Sequence, residues 1–329
     1  MQVLILHDDV PADAPLDELD NLVQAEAIST ALAQLGHQTR QLPFTLNLKR
    51  VEKAIRQAKP DLVFNLVETA GGTGRLTYLA PALLDGLGIA YTGAGTDAMF
   101  STSSKVLSKK ILEEHRIPTP AWFTPETLLE RSEPLSGSFI IKSVWEDASI
   151  GIDDSSIMTL ASPAALRQEM VRRLGQLGGE AFAESYVDGR EFNLSLLGRG
   201  GEVDVLPPAE IHFVDFAPGK PRIVNYQAKW DEQSHEFHHT PRCFEFPASD
   251  SGLLDKLAGL ARHCWAVFGL TGYARVDFRV DRAGNPWVLE LNANPCLSPD
   301  AGFMAAADRT GLGFVGAIQR IVQEGVGRP

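Results

Sequence analysis

The sequence predicts an α/β fold with a parallel sheet at the N-terminus, followed by α+β structure. Strands and helices alternate over the first hundred residues, and this alternation stops after Gly95. A strongly patterned β-hairpin then lies near the C-terminus, over residues 275–295. At 329 residues and 44% hydrophobic composition, the chain can bury a large core and is expected to form two or three domains.

The N-terminal part has the order of a βαβ unit. The pattern predicts a strand at residues 3–6, a helix at 21–35 ending at Gly36, a helix at 48–58 and a strand at 61–67. A Rossmann-like parallel sheet is therefore expected, with ligand-facing loops after its strands. The loop at 71–74 is rich in glycine but lacks the Lys and Ser/Thr of a P-loop, so a plain turn explains it equally well.

In the middle of the chain, strands and helices no longer alternate regularly. We predict a helix at 104–115, an extended segment through Pro118 and Pro120, and strands at 139–142 and 181–184 around a helix at 163–174. A polar loop of small residues, 145–151, follows the strand that ends at Lys142. This mixture indicates a separate α+β domain.

The C-terminal hairpin presents polar side chains on one face. Because side chains alternate along a strand, Arg275, Asp277 and Arg279 share one face, and Glu290 and Asn292 share a face of the second strand. The turn is predicted at residues 281–285.

The register of this hairpin decides which groups meet. If Val280 is opposite Trp287, Asp277 faces Glu290 and Arg275 faces Asn292. Two facing carboxylates are unfavourable without a cation between them. With the amide of Asn292, they are the hard oxygen ligands that Mg²⁺ takes when it is shared with phosphates. A solvated charged sheet face is the alternative interpretation.

Composition excludes several classes of partner. A net charge of −12 argues against nucleic acid as the main partner, because phosphate contacts need clustered Lys and Arg. The widely spaced Cys243, Cys264 and Cys296 indicate a reducing compartment, and Cys264 is expected in the core. With neither a signal-like start nor a membrane-length apolar run, we expect a cytoplasmic protein without membrane contact.

Several polar features between the two ends suit a nucleotide. Lys142 and the following loop could hold phosphate oxygens, through a point charge and backbone amides. The extended segment at 183–187 could offer carbonyls and an apolar slot to an adenine, and Glu191 could accept ribose hydroxyls. Taken singly, each feature is better explained as ordinary structure than as a binding site.

The order of these features resembles the ATP-grasp superfamily, and within it the D-alanine:D-alanine ligases, over nearly the whole chain. The resemblance implies an ATP-grasp fold behind an N-terminal Rossmann-like domain, with divisions at residues 1–100, 101–187 and 188–329. The segment 210–245 corresponds to the lid loop of the family. Such relatives are often homodimers, and the sequence leaves the oligomeric state open.

The resemblance also implies roles for individual residues. The expected ATP contacts are Lys105, Lys142, Glu184, Tyr186, Val187, Glu191 and Lys229. Two Mg²⁺ ions, which Mn²⁺ could replace, would be held by Asp277, Glu290 and Asn292. Arg275 would stabilise the tetrahedral intermediate, with Ser149 and Lys229 as further catalytic residues.

The implied reaction is ATP-dependent joining of a carboxylate to an amine through an acyl phosphate, with ADP and phosphate released. The segments expected to hold the amino acids depart from the family pattern, since 67–75 and 295–303 carry other residues. The candidate substrate residues are Glu18, Glu68, Cys296 and Ser298. A divergent ligase for other amino or carboxylic acids is therefore an alternative.

Two other classes of protein compete with this interpretation. His235, His238 and His239 are spaced closely enough to suggest a zinc site, although no Cys or acidic partner set accompanies them. A cluster on a lid over the substrate is the other interpretation of these histidines. A nucleotide-binding protein without catalysis is the second rival, against which the full set of lysines and acids argues.

Overall fold

The computed structural model describes residues 1–326, and residues 327–329, the end of the third predicted domain, lie outside the described part. The N-terminal sheet has three parallel strands, with β1 (Gln2–Asp8) between β2 (Gln38–Phe44) and β3 (Leu62–Asn65). Its helices are α1 (Leu16–Gln34), α2 (Leu48–Ala58) and α3 (Leu79–Leu87). The predicted βαβ arrangement is confirmed.

Strand β2 is the element of this sheet that the pattern does not predict. Its sequence is mostly polar, and most of its side chains are at least partly exposed. An edge strand needs an apolar face only where it covers the core, so its sequence lacks the apolar run of the strand beside it. Helix α1 also begins earlier than predicted, at Leu16, with Asp17 and Glu18 in its first turn, where carboxylates favour the helix dipole.

The second sheet is antiparallel and has four strands. Helices α4 (Thr96–Ser103) and α5 (Lys105–Glu114) lead into it, and the Ser104 hydroxyl caps α5 by accepting from the Leu107 amide. The strand order is β4-β7-β5-β6. The strands are β4 (Trp122–Phe123), β5 (Ser138–Ser143), β6 (Ile157–Thr159) and β7 (Ala181–Ser185), with helices α6 (Pro125–Glu130) and α7 (Pro163–Arg173).

The third sheet is antiparallel and has six strands. Its order is β11-β10-β8-β12-β13, with β9 paired to β8. The strands are β8 (Gly189–Arg199), β9 (Glu202–Val205), β10 (Ala209–Ile211), β11 (Arg242–Cys243), β12 (Tyr273–Asp281) and β13 (Pro286–Asn292). Two short helices, α8 (Tyr226–Trp230) and α9 (His235–His238), lie in the segment between β10 and β11.

One face of this third sheet is apolar and covered by helix α10 (Ser251–Val267). Phe192 and Leu194 of β8 and Val276 and Phe278 of β12 are fully buried there, and Cys264 of α10 packs in the same cluster. The core position predicted for Cys264 is confirmed. The opposite face of β12 and β13 carries the polar side chains.

The chain's two ends share a core. Helices α11 (Gly302–Asp308) and α12 (Gly313–Val326) complete the described part, and α12 packs against α1. Short 3-10 helices occupy Gly74–Leu76, Asp154–Ser156, Leu174–Gln176 and Ala248–Asp250. No helix within residues 1–326 is both long and apolar enough to cross a membrane.

The N-terminal part meets the third sheet at two glycines in close backbone contact. Gly272 has a φ of +71°, and a Cβ added there would lie 2.9 Å from the Gly93 Cα and amide nitrogen. Because that contact is with backbone, the neighbour cannot move aside as a flexible side chain would.

We predict that Gly272→Ala lowers the free energy of unfolding by about 3 kcal/mol, from left-handed strain of about 1–2 kcal/mol and overpacking of about 1–3 kcal/mol. Gly269→Ala is the matched control, since Gly269 also has a positive φ of +59° but no atom within 4 Å of the added Cβ. It should cost about 1 kcal/mol. Urea denaturation measures both, and equal losses would show that the close approach does not matter.

Candidate active site

A single cavity of about 830 Å³ is lined by residues of all three sheets. It contains every residue that the sequence nominated for ATP, metal, catalysis or substrate, although these lie up to 280 positions apart, from Glu18 to Ser298. The other members are Glu68, Lys105, Lys142, Ser149, Glu184, Tyr186, Val187, Glu191, Lys229, Arg275, Asp277, Glu290, Asn292 and Cys296. The fold therefore brings the predicted residues together.

The β12–β13 hairpin forms one wall of the cavity. Asp277 is opposite Glu290 and Arg275 is opposite Asn292, as predicted. The predicted pairing of Val280 with Trp287 is wrong, because Val280 faces Pro286.

A β-bulge explains why Asp277 faces Glu290 although Val280 does not face Trp287. The register shifts between Asp277 and Phe278, and Leu289 is the extra residue of β13 between the partners of these two. A bulge places two residues of one strand against one of its partner and redirects side chains. It therefore restores the Asp277–Glu290 pairing that a regular ladder from Pro286 would have displaced by one residue.

The Asp277 carboxylate already has two partners in the protein. Arg275 donates from Nε to Oδ1 at 2.8 Å and from Nη2 to Oδ2 at 2.9 Å. Asn193, from the neighbouring β8, donates to Oδ1 at 2.7 Å. Arg275 thus lies beside the acid pair, and its attraction to the carboxylates outweighs the effect of burial and raises its pKa.

Glu290 has a different environment, since no side chain of residues 1–326 hydrogen-bonds to its carboxylate. Burial would raise its pKa, but surrounding positive charges outweigh burial and hold it at about 2. Those charges belong to Lys105, Lys142, Lys229 and Arg275. The carboxylate is therefore ionised, faces the cavity and has free oxygens.

The donor set fits a hard divalent cation. Glu290 offers both oxygens, Asp277 a carboxylate shared with Arg275, and Asn292 an amide oxygen that accepts from the Asn294 amide at 3.0 Å. Such a set, with few protein ligands, suits Mg²⁺ that is also bound by phosphates better than it suits a closed protein site.

Lys105 and Lys142 approach the cavity from the second sheet and its leading helix. Lys105 donates to the Glu146 carbonyl at 2.9 Å and to Asp147 at 2.6 Å, so it holds the loop that follows β5. Lys142 pairs with Glu184 at 2.5 Å. The other Glu184 oxygen pairs at 2.7 Å with Lys109, which the sequence did not single out.

The remaining nominated nucleotide residues lie near the start of β8. Glu191 forms an ion pair with Arg279 at 2.8 Å, and burial raises its pKa above the usual value for a glutamate. Tyr186 and Val187 line the cavity beside it. Tyr186 also contacts Arg222 of the lid segment, donating from its hydroxyl to the carbonyl at 3.4 Å.

The lid segment 210–245 closes over the loop at 145–151. The Ser149 hydroxyl donates to the Val224 carbonyl at 2.8 Å, and the Trp230 indole donates to the Ala148 carbonyl at 3.3 Å. From the N-terminal part, Asp17 accepts from the Tyr226 hydroxyl at 2.9 Å. Lys229, on α8 between these contacts, is half-buried, and desolvation with the nearby Arg275 lowers its pKa.

The histidines of the lid do not form a metal site. No group of three or more His, Cys, Asp and Glu side chains suited to a metal ion occurs within residues 1–326. The rings of His235 and His239 stack at 3.7 Å, and each of the three histidines donates to a backbone carbonyl. None of them lines the cavity, whereas Phe237 does.

The end of the cavity formed by the N-terminal part is acidic. Its lining there includes Asp8, Asp17, Glu18, Asp20 and Glu68 and contains no lysine or arginine from residues 1–100. Asp8, Asp17, Asp20 and Glu68 each accept a hydrogen bond from an uncharged neighbour.

Two of the predicted substrate residues hydrogen-bond to Asp20, an acid that the sequence analysis did not single out. Ser298 donates to Asp20 Oδ1 at 2.7 Å, and Cys296 donates to Asp20 Oδ2 at 3.0 Å. Gln24 bridges Asp20 and Glu68, donating to Glu68 at 2.8 Å. Local sequence gives no signal for these contacts, because the partners lie about 275 residues apart.

Comparison with known proteins gives a consistent result. The family model for the D-ala D-ala ligase C-terminus matches residues 122–323. The chain is 30% identical to a D-alanine–D-alanine ligase of Synechococcus sp. (strain JA-3-3Ab), over 94% of this chain and 90% of that protein. It is 29% identical to the uncharacterized protein y4sG of Sinorhizobium fredii, over 91% of this chain and 86% of that protein.

A solved structure shares the fold. The D-alanine–D-alanine ligase of Bacillus anthracis complexed with ATP superposes with a TM-score of 0.72 at 19% identity, covering 99% of this chain and 97% of that one.

We predict that Glu68 makes stability depend on pH. Burial and the charge of Asp8 raise the pKa of Glu68 from 4.5 to about 8, so the folded state keeps a proton that the unfolded chain loses. Its contribution to stability is present below pH 4.5 and is lost as the pH rises through about 8. The free energy of unfolding should therefore fall between about pH 5 and pH 9, and fall less in Glu68→Gln.

Urea denaturation across this range measures the effect, with Glu114→Gln as control because Glu114 is exposed and outside the cavity. Equal pH slopes for the wild type and Glu68→Gln would contradict the assignment.

Proposed function

The chain belongs to the D-alanine–D-alanine ligase family, and we infer from that membership and from its cavity that it is an ATP-dependent ligase joining a carboxylate to an amine. The single observation that carries the assignment of site residues is the cavity that collects all of the nominated residues around Asp277, Glu290 and Arg275.

The reaction has two steps. A carboxylate oxygen of the first substrate attacks the γ-phosphorus of ATP, the bond from that phosphorus to the β,γ-bridging oxygen breaks, and ADP leaves. The nitrogen of the second substrate, as a neutral amine, then attacks the acyl carbon. The bond from that carbon to the phosphate oxygen breaks, phosphate leaves, and the nitrogen loses a proton to give the amide.

The positively charged side chains of this site would contribute to catalysis mainly by neutralising negative charge. Phosphoryl transfer needs little covalent help but much charge neutralisation, which Lys105, Lys142 and Lys229 supply at the cavity wall. Arg275 would stabilise the oxyanion of the tetrahedral intermediate, because its guanidinium lies beside the acid pair and faces the cavity. Mg²⁺, when held by Asp277, Glu290 and Asn292, supplies further neutralisation of the phosphates.

The lid would protect the acyl phosphate from water. The contacts from Ser149 to Val224 and from Trp230 to Ala148 join the lid segment to the loop that we propose as the phosphate loop. The Tyr226 to Asp17 contact joins the same lid to the acidic end. Closing both ends with one segment excludes water from the two substrates together.

The finer points of the site are proposals of the same kind. We propose two Mg²⁺ ions, replaceable by Mn²⁺, ribose contact by Glu191 and adenine contact by Glu184, Tyr186 and Val187. We also propose three domains, with divisions at residues 1–100, 101–187 and 188–329. We propose that the protein forms a homodimer, and light scattering would measure its mass in solution. A cytoplasmic location is supported by the need for ATP.

The amino-acid substrates are less narrowly defined. The names of the relatives favour two D-alanines, while Asp8, Asp17, Glu18 and Asp20 at the N-terminal end of the cavity favour a substrate with more positive charge than alanine carries. Asp20 is especially relevant, because it occupies the hydroxyl of Ser298 that could otherwise bind a substrate carboxylate. A ligase for a basic amino acid is therefore the second candidate.

A panel of amino acids tests the function directly. Each D- and L-amino acid is supplied singly and in pairs with ATP and Mg²⁺, ADP release is followed, and the product mass is recorded. We predict amide products. A kcat/KM at least about tenfold higher for a basic amino acid than for alanine, the gain expected from one added charge-assisted contact, would support the second candidate. Preference for alanine would support the D-alanine substrates, whereas ATP binding without any product would indicate a non-catalytic protein.

We predict that Glu290→Gln lowers ADP release by at least about a hundredfold, since it removes the charge that holds the metal beside the transferring phosphate. The fold should persist, because glutamine has the same shape and lies on the cavity wall. Glu202→Gln is the control, as the Glu202 side chain is 75% exposed on β9. Turnover of Glu290→Gln near that of the wild type would show that Glu290 does not bind the metal.

A further inference from the structure

Lys109 is a buried lysine that the proposed mechanism does not use. Its side chain is 1% exposed and it does not line the cavity. It pairs with Glu184 Oε2 at 2.7 Å and donates to the Thr119 hydroxyl at 2.7 Å. A lysine is rarely buried to this degree unless it is paired, so the Glu184 contact is what keeps it charged.

Glu184 connects Lys109 to the cavity. Its side chain is 2% exposed, and its second oxygen pairs with Lys142 at 2.5 Å. Lys142 does line the cavity, and its side chain is 12% exposed. The three side chains therefore form a row of two cations around one anion, running from the interior to the cavity wall.

The charge of this row depends on Lys109. With both lysines protonated and Glu184 ionised, the row carries one net positive charge, and the solvent-accessible member of the row is Lys142. Without Lys109, Glu184 would neutralise Lys142 alone, and the row would offer no net charge to a nucleotide. The paired lysines outweigh burial and lower the pKa of Glu184, whereas burial outweighs the attraction of Glu184 and lowers the pKa of Lys109.

We propose that Lys109 is a positioning residue for nucleotide binding, which balances the charge of Glu184 so that Lys142 keeps its own charge for ATP. This rests on the proposed function, since ATP is the ligand. Lys109 acts through Glu184 and touches no substrate.

A purely structural role would depend on the other neighbours of Lys109. The Thr119 hydroxyl donates to the Val288 carbonyl at 2.8 Å, so this link between β13 and residue 119 remains when Lys109 is replaced. The group left without a partner is the Glu184 oxygen. The consequence of removing Lys109 is therefore mainly electrostatic.

Lys109→Met should raise KM for ATP, and the Kd for MgADP measured by calorimetry, by about tenfold, the effect of losing one charge-assisted contact. The kcat should change by less than about threefold, because the groups around the transferring phosphate remain. Lys109→Arg should stay near the wild type. The control is Lys110→Met, the exposed neighbour on the same helix, which should change neither value.

The double variant Lys109→Met with Glu184→Gln separates charge from structure. Because Glu184 is itself a proposed adenine contact, the double variant is compared with Glu184→Gln alone. Without the carboxylate no buried anion remains to neutralise Lys142, so adding Lys109→Met to Glu184→Gln should change the Kd for MgADP by less than about threefold. An unchanged Kd in Lys109→Met, or an equal loss of affinity from Lys109→Met in both backgrounds, would overturn the proposal. Absence of ADP release by the wild type would instead contradict the proposed function, and the binding measurements would still decide the role of Lys109.

Discussion

The site depends on holding like charges close together out of bulk water. Asp277 and Glu290 face each other on adjacent strands, an arrangement that is unfavourable in an isolated hairpin. It is stable here because Arg275 binds Asp277 and because three lysines surround Glu290 from other parts of the chain. The acids and the cations stabilise each other, and they come together only when the second and third sheets and their helices are assembled.

This pairing of opposite charges continues from the cavity wall into the interior. Lys142 is drawn toward both Glu290 and Glu184, and Glu184 is in turn paired with Lys109 in the interior. Removing one member of such a row leaves a buried charge without a partner, which costs more than removing the whole row. Residues in the interior therefore influence the charge at the cavity wall.

Alternating polarity and residue order were enough to predict the class of fold and the membership of the cavity. The buried faces of β8 and β12 follow from their apolar alternation, and the order Lys105, Lys142, Glu184, Glu191 and Lys229 follows from a resemblance carried by local motifs. The bulge at Leu289 was not predictable, because a one-residue change of register depends on packing across the sheet.

Lys109 and Asp20 were missed for a related reason. On a helix such as α5, a lysine next to exposed Lys110 has the appearance of a solvated residue, and only the position of Glu184 explains its burial. The partners of Asp20 are Cys296 and Ser298, which approach it only after the C-terminal helices pack on the N-terminal part. Long-range contacts of this kind leave no periodic signal in the sequence.

The two ends of the cavity have opposite electrostatic character, and this constrains how the substrates are arranged. Lysines and arginines at the ends of the second and third sheets attract phosphates and carboxylates, whereas the carboxylates of the N-terminal part attract ammonium groups. Under the proposed function, an amino acid between them would have its carboxylate toward the phosphates and its amine toward the acids. The lid contacts both ends, so closure over the phosphate loop and closure over the acidic end are the same movement.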